Sequence, residues 1–251
     1  MEKLQTTCKN TDNFGFLNAN VLKIIALVAM TIDHIGLIFF PDQIVWRIIG
    51  RLAFPLFAFF IAEGTRHTRN KLRYFLVIFC LGVVCEIFAR IFAHTTECNI
   101  LLTFSISILI IYAVQWFKKS ISARSANHAV WAGVVVLLSV GATFVASHVL
   151  PQYISWFCGF DYGFFGIMLA VLVSLFDNRW LKLLCFAAGL VLLAALRTPY
   201  WAVQWCCLVA VVLVLFYNGK RGKYNIKYLF YAYYPLHLAI LYGIAWLIAH
   251  K

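Results

Sequence analysis

Between Lys23 and Arg73 the chain holds two apolar segments that carry Asp33, His34, Arg51 and Glu63 inside them. Each ionisable side chain placed in hydrocarbon costs at least about 2.5–3.5 kcal/mol on insertion scales, so four in one helical hairpin must recover that cost through pairing, water access or chemistry. Their types fit proton transfer. At about 1.5 Å per residue, the eleven steps from Lys23 put His34 about 16 Å deep, near the middle of a bilayer. A neutral imidazole at that depth can serve as a general base. Adjacent helical residues point about 100° apart, so Asp33 is expected to hold another partner, such as Arg51, rather than to orient His34. The plainer reading of the pair is a hydrogen bond that locks two helices together.

The second segment, GRLAFPLFAFFIAEG, places Arg51 in one half and Glu63 at the opposite end, with Pro55 between them to free backbone carbonyls and bend the helix around a cavity. Beyond it, Arg66, His67, Arg69, Lys71 and Arg73 form a cationic rim beside Lys23. Such a rim suits a phosphate-bearing ligand, and it equally suits a topogenic loop touching anionic lipid. In the last apolar stretch, His237 stands nine residues after Tyr228, about 13–14 Å in, a depth matching that of His34. Pro235 beside it is expected to kink that helix. Glu86 and Arg90 have the i,i+4 spacing of a self-neutralising pair. Asn99 opens a further apolar run, and the stretch 158–166 around Asp161 and Tyr162 is glycine-spaced.

The elements that must position these residues follow from composition. Hydrophobic residues make up 64% of the 251 and charged ones 12%, whereas a soluble domain has about 45–50% apolar content. The apolar runs are continuous, not alternating, so the fold is all-α: a polytopic integral membrane helical bundle. Nine spans are expected after a polar tail at 1–20: Val21–Phe40, Val45–Ile61, Leu72–Phe92, Ile100–Phe117, Ala129–Val149, Phe164–Phe176, Leu181–Leu196, Tyr200–Tyr217 and Tyr228–Ala249. The sixth and seventh are the shortest. Residues 21–251 read as a single transmembrane domain.

Sixteen of the 21 basic residues fall in alternate connections, which places the amino terminus in the cytoplasm. The net charge of +12 therefore reflects loops facing one side of a bilayer, not a nucleic-acid surface. The eight cysteines show no CxxC and no metal-ligand spacing. Only Cys98 and Cys158, both in loops on the outer side, have the placement to pair. No internal repeat of the transporter type is visible, and none of the motifs of intramembrane proteases occurs.

Lys23-x10-His34, the DHIG that includes it, GRLAFPLFAF, RHTRN, Asn99-Ile-Leu, DYG at 161–163, YNGKRG at 217–222 and YPLHLAIL occur in this order. Together they resemble the TraX family, a branch of the multi-span membrane acyltransferases, over nearly the whole chain from Val21. The resemblance implies acetyl transfer from acetyl-CoA in a bacterial inner membrane, to an amine such as a pilin amino terminus or to a hydroxyl. It implies His34 as the base, with Asp33 and His237 beside it. Lys23, Arg51, Arg66, His67 and Arg69 become expected contacts of the anionic cofactor. Glu63, Asn99, Asp161, Tyr162 and Tyr234 become the expected lining. A proton-coupled transporter using the same buried His, Asp and Glu is the alternative reading.

Overall fold

The structure, a computed structural model, describes residues 15–92, 98–153, 159–196 and 201–250. Cys158, and with it the expected pairing with Cys98, lies outside the described residues.

Among the described residues nine apolar helical segments follow one another. They are α1 (Ala19–Phe39), α2 (Ile44–His67), α3 (Lys71–Phe92), α4 (Ile100–Ser122), α5 (Ala126–Tyr153), α6 (Gly163–Ser174), α7 (Arg179–Leu196), α8 (Ala202–Leu215) and α9 (Lys227–Ala249). Seven are long and apolar enough to cross a membrane, whereas α6 and α8 are shorter. The expected count of nine therefore holds for the segments, and the short ones are the sixth and eighth, not the sixth and seventh. Twelve residues make α6 about 18 Å long against a hydrocarbon core of about 30 Å. Among the described residues there is no strand, only the isolated bridges Leu17–Tyr217 and Cys98–Phe160.

Lipid tails are as apolar as leucine, so helices in a bilayer associate through close packing, not through exclusion of water. Small residues accordingly sit where helices meet. Ala26, Ala29, Ala53, Ala58 and Ala62 are buried, and Gly36 and Gly50 bring α1 and α2 into near contact. A methyl group at Gly50 would stand 2.0 Å from Asp33 Oδ1, and one at Gly36 would stand 2.1 Å from the Trp46 Cβ. The core, with Leu56, Phe104, Ile108, Leu169 and Phe186, lies among α2, α4, α6 and α7. Along α5 and α9 most large apolar residues face outward, the arrangement a lipid-facing helix requires.

Two interruptions have local causes. Helix α2 consists of Ile44–Gly50 and Ala53–His67, joined by a turn at Arg51–Leu52. Pro55 has no N–H to give the Arg51 carbonyl four residues earlier, and its ring crowds that carbonyl, so the break falls there. The segment before α1 is not a free tail from residue 15 onward. Leu17 N donates to Phe216 O (3.0 Å), Asn218 N to Leu17 O (2.8 Å) and Ala19 N to Lys220 O (2.8 Å). Asn18 caps α1 through Val21 N. This docking holds the 216–222 loop against the start of α1 and sets Arg221 beside Lys23.

Candidate functional site

His34 donates from Nδ1 to the Met30 carbonyl (2.8 Å), and His237 from Nδ1 to the Tyr233 carbonyl (2.9 Å). A carbonyl only accepts, so both neutral rings carry their proton on Nδ1 and present a bare Nε2. The rings meet edge to face, with centroids 5.0 Å apart and planes at 75°. His237 Nε2 is buried and has no hydrogen-bond partner among the described residues. Helices α1 and α9 are held in register one turn away, where Tyr233 Oη and Thr31 Oγ1 lie 2.6 Å apart. Thr31 gives its own proton to the Leu27 carbonyl (2.9 Å), so Tyr233 is the donor in that pair. The Tyr233 ring also stacks on His237.

A cavity of about 550 Å³ opens at the end of the bundle that bears the basic loops, within the 300–1,000 Å³ range typical of ligand pockets. Its mouth is formed by Lys23, His67, Gly219 and Arg221, its walls by Phe57, Phe60, Tyr74, Phe104 and Phe230, and its floor by Leu27, Met30, Leu101 and Tyr234. The floor stops one helical turn short of the histidines: Met30 is the residue whose carbonyl holds His34, and the Tyr234 ring lies 5.6 Å from His237. The Lys23 ammonium lies over the faces of Phe60 (5.2 Å) and Phe230 (5.5 Å). Among the described residues no carboxylate pairs with it. Beside the mouth, burial and the nearby Glu63 carboxylate push the Tyr217 phenol up to about 12.

The other residues expected at the site are placed as follows. Glu63 lines the cavity near its mouth, paired with Lys182 and 3.7 Å from His67. Arg66 does not face the cavity: it is bound to Asp177 and to the Phe176 carbonyl (2.9 Å), tying α2 to the turn before α7. Arg69 is exposed and outside the lining. Asp33 bonds Arg47 (2.8 Å), not Arg51. Gly50 is pressed against the Asp33 carboxylate, so the arm that reaches it comes from the turn before, while Arg51 crosses to the Tyr162 hydroxyl (3.2 Å).

Arg51 is therefore outside the lining of the cavity, away from where a cofactor contact was expected. Tyr162 begins α6 in a left-handed conformation (φ 59°) and stacks on Phe54 at 3.8 Å. Asp161, the residue before it, accepts from Thr103 through its carbonyl (3.3 Å). Asn99 does not line the cavity. It caps α4 through Leu101 N (3.0 Å) and donates to the Gly82 carbonyl (2.7 Å) and to Glu86, which also takes Arg90 (2.8 Å).

Residues that the sequence reading passed over are Met30, Arg47, Thr31, Tyr233, Gln204 and Arg221. Arg47 and Gln204 carried a signal, each being a polar side chain within an apolar run.

The TraX protein family matches residues 18–245. The chain belongs to the TraX family. It is a multi-pass helical membrane protein. Among curated proteins it is similar to the uncharacterized protein RP591 of Rickettsia prowazekii (strain Madrid E), 34% identical over 172 residues that cover 67% of this chain and 60% of that protein. It is also similar to the probable fimbrial assembly protein FimC, serogroup H1, of Dichelobacter nodosus, 26% identical over 253 residues that cover 88% of this chain and 92% of that one. No solved structure matches.

Proposed function

We propose that the protein is a bacterial inner-membrane acetyltransferase. It takes the acetyl group from acetyl-CoA at the basic, cytoplasmic end of the bundle and passes it to an amine or hydroxyl, a pilus subunit's amino terminus among the candidates. The observation that carries this reading is the cavity that runs from Lys23 and Arg221 at its mouth to Met30 and Tyr234, one turn from the paired imidazoles. Family membership and the fimbrial relative support the pilus context.

In this reading Lys23, Arg221 and His67 take the phosphates of the cofactor. The aromatic walls accept its uncharged arm. His34, through Nε2, removes the proton from the acceptor N–H or O–H as that atom attacks the thioester carbonyl. The carbon–sulfur bond breaks, the thiolate leaves toward the mouth, and the imidazolium returns its proton to the thiolate. Both Nδ1 atoms stay on their carbonyls, so each histidine is fixed with its lone pair available.

The test is a thermal-shift titration of the purified protein with acetyl-CoA and with acetyl-pantetheine, which lacks the nucleotide phosphates. Stabilisation by acetyl-CoA that falls away with acetyl-pantetheine, or in Lys23→Ala, is the expected result. No response up to millimolar acetyl-CoA would overturn the reading and return the buried His, Asp and Glu to a proton-coupled carrier.

A further inference from the structure

Outside the lining of the cavity, four buried polar atoms have no hydrogen-bond partner among the described residues: Asp33 Oδ1, Arg51 Nε, and both Nε2 and Oε1 of Gln204. Gln204 is 1% exposed and Arg51 7%. A buried group left without a partner costs more than an average hydrogen bond contributes, so such groups are rare and need a reason. These four are neighbours. Asp33 touches Gly50, which precedes Arg51. The turn of Trp201–Gln204 packs against Ile44–Gly50. The Gln204 amide lies beside the Cys207 thiol, which is itself within electrostatic reach of Arg51. His237 Nε2 is likewise without a partner among the described residues, and its ring meets that of His34, the residue next to Asp33.

We propose that Asp33, Arg51 and Gln204 form the binding site of the acetyl acceptor, and that it takes an uncharged group that both donates and accepts hydrogen bonds, a hydroxyl or an amide. The proposal rests on the acetyltransferase reading for the word acceptor, but the site itself does not. The chemistry follows from the orphaned atoms. Asp33 Oδ1, Gln204 Oε1 and His237 Nε2 can only accept; Arg51 Nε and Gln204 Nε2 can only donate. A carboxylate or phosphate would leave the three acceptors unmet, and an ammonium would leave the two donors unmet. A hydroxyl or an amide satisfies both kinds. The Asp33 carboxylate already has Arg47 on its other oxygen, so it asks for a neutral donor, not for a cation. An acceptor seated here would reach His34 from outside the cavity.

The experiment uses the full chain in lipid nanodiscs and follows unfolding by tryptophan fluorescence. The probes are myo-inositol as a hydroxyl source, N-acetylglycinamide as an amide source, and sodium acetate and methylammonium chloride as charged controls. The variants are Gln204→Leu and Gln204→Met. Without any probe, both variants should unfold at or above the wild-type midpoint, because an unpaired buried amide has been removed. One or both neutral probes should raise the wild-type midpoint by about 2–4 °C more than that of either variant, and the one that does so identifies the source. The charged controls should shift all three proteins alike.

Equal shifts in wild type and variants, a larger specific shift with acetate or methylammonium, or variants that unfold well below wild type would each overturn the proposal, the last by showing that Gln204 is held by bonds of its own. Acetyl-CoA is titrated in parallel. If it stabilises neither wild type nor variants while the neutral probes behave as expected, the acetyltransferase reading fails and the site stands.

Discussion

The imidazoles of His34 and His237 meet edge to face with centroids 5.0 Å apart, although they stand on the first and the last helix. Each is fixed by its own helix through Nδ1, so both rings present a bare Nε2. Two bases so close do not both take a proton readily, since the first charge opposes the second. In the proposed reaction the pair acts as one proton acceptor. His34→Ala is expected to lower acetyl transfer about 100- to 10,000-fold, the usual contribution of a general base. His237→Ala should fall in the same range. The double variant should be no slower than the slower single one, because residues that act as a unit are not additive. Rates are compared at equal amounts of protein that elutes normally from size exclusion. A double variant slower by the product of the two single effects would separate their roles.

The cationic rim divides into a part that faces the cavity and a part already engaged. Lys23 rests on two ring faces and, among the described residues, has no carboxylate partner. A charge-assisted hydrogen bond contributes roughly 1.5–3 kcal/mol, so Lys23→Ala should weaken acetyl-CoA binding roughly 10- to 150-fold. Arg66→Ala should leave that affinity unchanged and lower thermal stability instead, since Arg66 joins α2 to Asp177 and Phe176. Calorimetric titration of the two variants separates these outcomes. Equal losses of affinity would mean that the rim acts as an undivided field.

How far the site is legible in the sequence depends on whether a residue's partner is close in the chain. His34 and His237 are legible because counting rise from each helix start gives matched depths, and depth is a one-dimensional quantity. The nine segments are legible for the same reason. Arg66 is not, because its residue type announces a phosphate contact while its partner, Asp177, arrives from a distant turn. Asn99 illustrates a competing local rule: an asparagine just before an apolar helix is an N-cap, and that role takes its side-chain oxygen before any ligand could. The pairing of Asp33 with Arg47 depends on where α2 breaks and on Gly50 lying against Asp33, which residue spacing does not reveal.

That contact between Gly50 and Asp33 predicts a stability effect with little ambiguity. A Cβ at position 50 would lie 2.0–2.4 Å from three atoms of Asp33, closer than any real contact. The carboxylate is held by Arg47, so moving it aside strains that bond. Gly50→Ala is expected to destabilise by about 1–3 kcal/mol, the usual cost of overpacking. Gly141→Ala, where nothing lies within 4 Å, should be neutral or slightly stabilising. Thermal unfolding of the two variants tests the comparison, and equal midpoints would show that α1 and α2 separate easily.

The cavity floor raises the question of how an acetyl group reaches His34. Met30 and Tyr234 close the space one turn before the histidines, and both are buried. Tyr234 is a rigid ring, so the movable part is the Met30 side chain, an unbranched thioether with three rotatable bonds. Met30→Ile replaces it with a β-branched chain of restricted χ1. If transfer requires that side chain to swing aside, forcing the stiffer residue to do so at a cost of about 1.4 kcal/mol slows turnover about tenfold. Affinity for acetyl-CoA should not change, because the mouth and walls are untouched. Met30→Ala should turn over at least as fast as the wild type and accept propionyl-CoA more readily, since the floor is then open. Measuring kcat beside acetyl-CoA affinity for the two variants decides the matter: a Met30→Ile protein with normal kcat would mean that the acetyl group travels by another route.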